Sequence, residues 1–170
     1  MKVPVFSFVK IIGLCLLLGS SLPAAVSEAQ RATIDRVTGA KGSYTPEEDV
    51  YRVTFPRTDV KVTVEGRTMH PFLGLTSWAA FTPHSSTELM VMGDLVLFED
   101  EVNPAMSAAL DNGLEVTALH NHFFYDSPRV MFMHIGGSGP AAVSVHQGLV
   151  SGGAVQLFEG DPEGQPAAGL

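Results

Sequence analysis

The chain has a single cysteine, Cys15, near its N-terminus. One cysteine excludes an intramolecular disulfide and any Cys-x-x-Cys metal site. Charge is also scarce, at 16% of 170 residues, and basic residues are the minority, 10 against 18 acidic. A net charge of −8 argues against a nucleic-acid partner, which needs a basic face. There is no Gly-x-Ser-x-Gly elbow, no phosphate-binding glycine loop and no internal repeat. What the chain does have is apolar content, 45% of its residues. That is enough to build one domain with a core, and too much for wholesale disorder.

Residues 1–29 read as an export leader. Lys2 and Lys10 supply a positive start, and Ile11 to Leu18 is an apolar run too short to span a bilayer comfortably. Ser27 and Ala29 put small residues at −3 and −1 of a cut before Gln30. An uncleaved anchor is the alternative, and it would be the only membrane contact. A lipidated Cys15 fits less well, because Leu14 is too bulky for the position before it. The cut leaves 141 residues with 17 acidic and 8 basic groups and no cysteine. A cysteine-free exported protein draws its stability from packing or from a bound metal. The expected location is periplasmic or extracellular.

Along the rest of the chain, residues 30–43 predict a short amphipathic helix ending at Gly39 or Gly42. Period-two alternation predicts strands over Tyr51–Phe55, Val60–Val64, Leu75–Phe81 and Glu88–Phe98. Glu65-Gly66-Arg67 reads as a turn, and Gly93-Asp94 as a bulge or bend. The period then changes to that of a helix over Glu99–Asn112, with Pro104 expected in its first turn and Gly113 at its end. Strands are predicted again at Leu114–His120 and Arg129–Ile135, around an aromatic loop, His122 to Pro128. Gly136–Gly139 reads as a loop and Pro140–Leu149 as a short helix. The folded unit is expected over residues 30–158, and 159–170 as a disordered acidic Gly/Pro tail.

The chemistry points to histidine. His120, His122 and His134 fall within 15 residues, where composition alone would place about half a histidine. On one strand, His120 and His122 share a face. If a hairpin turns near Ser127, His134 comes opposite His120, and three imidazoles converge. Three histidines with an open fourth position are the usual form of a catalytic zinc centre. The register is an assumption here, since a one-residue slip sends His134 to the other face. The alternative is a set of histidines bonded to carbonyls and to one another. Glu101 and Asp126 are the candidate general base or orienting groups, with Asn121 beside them. Glu99, Asp100 and Glu101 also suit a helix N-terminus. Arg129 is a candidate carboxylate anchor or a partner for Asp126. Met90, Met92, Met131 and Met133 alternate along strands, which suits core filling better than copper(I).

Several runs resemble the LppY/LpqO family of bacterial exported proteins, a family of unknown function. They are Val53-Thr54-Phe55-Pro56-Arg57, Ser77-Trp78-Ala79-Ala80-Phe81, Met92-Gly93-Asp94-Leu95-Val96-Leu97 and Glu99-Asp100-Glu101-Val102-Asn103-Pro104. The longest match is Glu115 to His122, followed by Ser127-Pro128-Arg129-Val130-Met131 and His134. Many members look like two tandem copies of the unit. One copy here implies a homodimer in place of the missing half. The His-x-His, loop, His pattern is also similar, at the level of fold analogy, to acetolactate decarboxylase and PPC-type zinc domains. His122 to His134 is about one residue longer than that pattern has.

The sequence thus predicts a single α+β domain: a mixed, mainly antiparallel sheet of six or seven strands with one or two helices. The leading functional expectation is a zinc-dependent hydrolase or lyase for a small carboxylated or carbonyl substrate. In it His120, His122 and His134 hold the metal, Glu101 moves the proton, Arg129 anchors the substrate, and Asn121 and Asp126 support the site. A non-catalytic module binding a ligand or an envelope component through Phe123-Phe124-Tyr125 is the second reading. A metal chaperone or sensor is the third.

Overall fold

Ser27 accepts a hydrogen bond from the Gln30 amide, and the Gln30 side chain accepts one from the Ser27 amide. This reciprocal cap starts helix α1, Glu28–Thr38, in a computed structural model that describes residues 25–140. Gly39, in the left-handed region, ends it. The helix therefore begins two residues before the predicted start. Val26, ahead of the expected cut, is 1% exposed in the core, and its amide donates to Asp49.

The strands follow in chain order as β1 (Ser43–Thr45), β2 (Val50–Pro56), β3 (Thr63–Val64), β4 (Arg67–Thr68), β5 (Thr76–Pro83) and β6 (Glu88–Phe98). Helix α2 (Glu99–Asp111) comes next, then β7 (Glu115–His120), β8 (Asp126–Ser127) and β9 (Val130–Pro140). Six strands form one sheet in the order β1-β2-β5-β6-β9-β7, with every neighbouring pair antiparallel. β4, β3 and β8 form a second, small sheet. The domain is α+β, as expected, with two helices.

The alternation in β6 decides what each face of the large sheet does. Leu89, Val91, Leu95 and Leu97 point into the main core, where Ile34 of α1 and Val102, Ala105 and Ala109 of α2 close over them. Both helices lie on this face. The opposite face is covered only in part. Val96, Val130 and Phe132 pack there with Val62 and Leu75, beneath the small sheet. The rest of that face is open, and Met90 and Met92, expected as core filling, are exposed on it.

Several expectations change. Gly93 makes no bulge, because β6 pairs without a break on both sides. A Cβ at Gly93 would stand 2.9 Å from the Trp78 carbonyl oxygen, so glycine lets β5 and β6 approach. Gly136–Gly139 is not a loop. It continues β9 and pairs with Leu89–Met92, and a Cβ at Gly137 would meet Leu114 at 2.9 Å. Pro104 lies in the second turn of α2 rather than the first. Of the predicted strand Val60–Val64, only Thr63–Val64 is paired, through a turn in which Glu65 and Gly66 both have positive φ. Residues 1–24 and 141–170 lie outside the description, and with them most of the leader, the helix predicted from Pro140 and the tail. No helix among the described residues is long and apolar enough to cross a membrane.

Candidate functional site

One row of paired residues crosses the open face of the large sheet. Thr54 pairs with Trp78, Trp78 with Asp94, Asp94 with His134, and His134 with Ala118. Cross-strand neighbours share a face, so these side chains stand side by side.

His120 reaches this row through an irregularity in β7. Val116 pairs with Ile135, whereas Ala118 pairs with His134, and the register shifts between them. Thr117 is the extra residue of a β-bulge. If β7 ran through Thr117 without a bulge, Val116, Ala118 and His120 would share one face, and His120 would follow Val116 towards the core. With it, Val116 packs against the main core while His120 turns to the open face. His120 pairs with Phe132, not with His134 as the sequence predicts. The offset is two residues, so the face is preserved, and His120 meets His134 diagonally. Their Nε2 atoms are 3.2 Å apart.

His122 lies beyond the end of β7, not on it. Its ring stacks on Phe132 with centroids 3.5 Å apart, and on His120 at 5.0 Å. The three imidazoles are thus gathered, but only two have nitrogens in mutual contact. Asp94 completes the group. Its Oδ1 is 3.7 Å from His134 Nε2, and is buried with no hydrogen-bond partner.

Beside this cluster is a cavity of about 320 Å³, lined by Arg52, Trp78, Asp94, His122, Phe132 and Phe72 among others. The Arg52 guanidinium lies 4.3 Å above the Trp78 ring.

The comparisons bear on this arrangement. The model of a family described as Domain of Unknown Function (DUF1259) matches residues 32–149. The chain belongs to this family. No match emerges among curated proteins or among solved structures. The family assignment brings no activity with it, so any function for this family member rests on the residues themselves.

Electrostatics distinguish the members of the cluster. Burial raises the Asp94 pKa above the usual carboxylate value, and His134, His122, His120 and Arg52 oppose that shift. Burial lowers the His122 pKa, Asp94 opposes this, and the other two histidines add to it.

The remaining predicted residues are placed elsewhere. Glu101 is engaged by Arg57, with Nη1–Oε2 and Nη2–Oε1 distances of 2.9 and 3.1 Å, and it also accepts from the Phe98 amide at the start of α2. Arg57 is 2% exposed, and Asp59 and the Val96 carbonyl hold the rest of its fork. Glu101 is therefore tied into the helix cap and a buried ion pair, not into the histidine cluster. Arg129 is exposed beside Glu99 at 3.7 Å, and does not pair with Asp126. Asp126 accepts from the Val130 amide, and Asn121 donates to the Phe123 carbonyl, so both shape the loop. Of the aromatic loop, Phe124 and Tyr125 are exposed, while Phe123 packs on the second cluster.

Sequence reasoning missed Arg52, Trp78 and Asp94. Their signal was the polar side of alternating strands, which reads as solvent-facing until a cavity gives it a purpose.

A metal ion can be tested against these donors. Two zinc-bound nitrogens at about 2.0–2.1 Å and a tetrahedral angle stand roughly 3.3 Å apart. The 3.2 Å between His120 and His134 matches that spacing, and the Asp94 Oδ1, buried without a hydrogen bond, is an oxygen donor beside them. No group of three or more His, Cys, Asp or Glu among the described residues is yet in place to hold an ion. The third imidazole, His122, lies with its face stacked on Phe132.

Proposed function

We propose that this chain is an exported bacterial protein of the LppY/LpqO kind, with a zinc-dependent hydrolase or lyase centre on its open sheet face. The observation that carries the reading is the His120–His134 pair, 3.2 Å apart beside Asp94, whose buried Oδ1 has no hydrogen-bond partner and lies 3.7 Å from His134. His120, His134 and His122 would hold the ion, and Asp94 would supply the negative charge beside it. When bound, zinc supplies Lewis acidity to a carbonyl oxygen.

The protein's own contribution is the frame. Strands β6 and β9 fix Asp94 and His134 in one row, the bulge in β7 aims His120 at them, and Phe132 backs His122. Asp94 is the one carboxylate lining the cavity among the described residues, and it takes the proton-moving role expected of Glu101. The apolar walls, Trp78 and Phe132, exclude water from one side of a bound substrate.

Titration with cobalt(II) tests the reading. A tetrahedral nitrogen site gives intense visible bands that His120→Ala and His134→Ala each abolish. Weak bands typical of six-coordinate cobalt, unchanged in both variants, would count against it.

A second reading is favoured by one observation. The cavity pairs a cation with aromatic walls, as a binding module for a small ligand would. It predicts ligand binding that is indifferent to chelation and leads to no turnover.

A further inference from the structure

The cavity beside the histidines has a defined charge pattern. Among the described residues Arg52 is the one cation that lines it and Asp94 the one acid. Arg57 is paired with Glu101 and Asp59 and Arg129 with Glu99, whereas Arg31, like Arg52, lies over a ring, that of Tyr44, away from the cavity. No carboxylate among the described residues lies within salt-bridge distance of the Arg52 guanidinium. Trp78 supports that guanidinium from below at 4.3 Å, which fixes the plane of its fork and leaves its N–H groups for a ligand.

The walls add a second requirement. Trp78, Phe132, Phe72 and Pro71 offer apolar surface around a volume of about 320 Å³, the size of a small organic molecule. Phe72 is 81% exposed at the rim, so its ring is presented to solvent with nothing over it. Asp94 stands next to Trp78 on the neighbouring strand and disfavours a second negative charge.

We infer that Arg52 and Trp78 form the recognition subsite for a small monocarboxylate with a flat apolar body. The carboxylate is held by the Arg52 fork, and the body lies between the aromatic walls with its far end towards Asp94 and His122. This deepens the reading of the cavity as the substrate side of the zinc centre, and it assigns the anchoring role to Arg52 rather than Arg129. A planar, bidentate donor matches a carboxylate. A single positive charge facing an acid matches a monoanion better than a phosphate dianion.

The test uses Trp78, the one tryptophan of the chain, as its own reporter. The protein is titrated with benzoate, neutral benzamide and phenyl phosphate, with calorimetry alongside. Benzoate is expected to bind saturably, and the other two at least about tenfold more weakly. Arg52→Gln is expected to weaken benzoate about tenfold or more, as loss of a charge-assisted hydrogen bond should. Arg52→Lys is expected not to restore it, because an ammonium lacks the fork. Equal binding of benzamide by the unaltered protein, or no benzoate response at all, overturns the inference without any need for a variant. Repeating the titration after chelation separates it from the zinc reading. Benzoate binding that survives chelation but fails in Arg52→Gln supports the subsite whether or not a metal is present. Binding that disappears on chelation and ignores Arg52→Gln places the anion on the metal and overturns the subsite.

Discussion

At the scale of single residues, the decisive contrast is between two carboxylates. Glu101 and Asp94 are both acids near apolar surroundings, but their partners differ. Glu101 is bonded twice to a buried arginine and once to a helix-start amide. Asp94 Oδ1 is buried without a hydrogen bond, and its ion-pair contact is His134 at 3.7 Å. A satisfied carboxylate stabilises, whereas a buried oxygen without a hydrogen bond is costly and calls for a partner such as water or an ion. Glu101→Ala should therefore cost about 3 kcal/mol of stability, because it strips a buried Arg57 of its main partner. Chemical denaturation checks this, and the metal content of the folded variant should stay at the parent level. Loss of metal with unchanged stability would return Glu101 to the site. The acidic run Glu99-Asp100-Glu101 made the helix start legible in the sequence. Nothing in it disclosed Arg57, which lies 44 positions earlier and reads as the end of a strand.

At the scale of elements, β7 carries the argument. The helix α2 and the strand β6 match their predicted bounds almost residue for residue, since periodicity and the glutamate-rich start are local signals. The bulge at Thr117 is not local. It exists because Val116 must reach the main core while His120 must reach the other face, and no period-two reading of Leu114–His120 contains that conflict. For the same reason the predicted pairing of His120 with His134 was displaced by two residues, yet the face was right. The glycine run after Ile135 misled in the opposite way. It reads as a loop, but it is the stretch of β9 that lets Leu114 lie against the sheet. Deleting Thr117 should restore simple alternation and leave His120 opposite Phe132 on the open face, since Ala118 then follows Val116 directly. Such a variant should keep its strand content by circular dichroism and bind cobalt as the parent does. Background-level cobalt bands would show that alternation along β7 does not by itself set where His120 points.

At the scale of the whole molecule, the sheet divides the labour. One face is sealed by α1 and α2 and holds the fold together, and the other carries the histidines, the cavity and the small sheet. The core was legible from alternation alone. The cavity was not, because Arg52, Trp78 and Asp94 come from three strands whose order only the fold reveals. The N-terminal boundary also belongs to this scale. Val26 and Ser27 precede the expected cut, yet one is buried in the core and the other caps α1. A chain starting at Gln30 should lose roughly 2–4 kcal/mol against one starting at Ala24, from lost burial and a lost cap. Thermal melts of the two forms check this, and equal melting temperatures would show that the first turn of α1 is dispensable. The central claim is that the open face holds a metal through its histidines. Metal content by plasma mass spectrometry, on the purified protein beside a His120→Ala/His134→Ala double variant, tests it most directly. The account predicts about one zinc per chain in the parent and none in the variant. No metal in either, even after reconstitution with zinc, would contradict it.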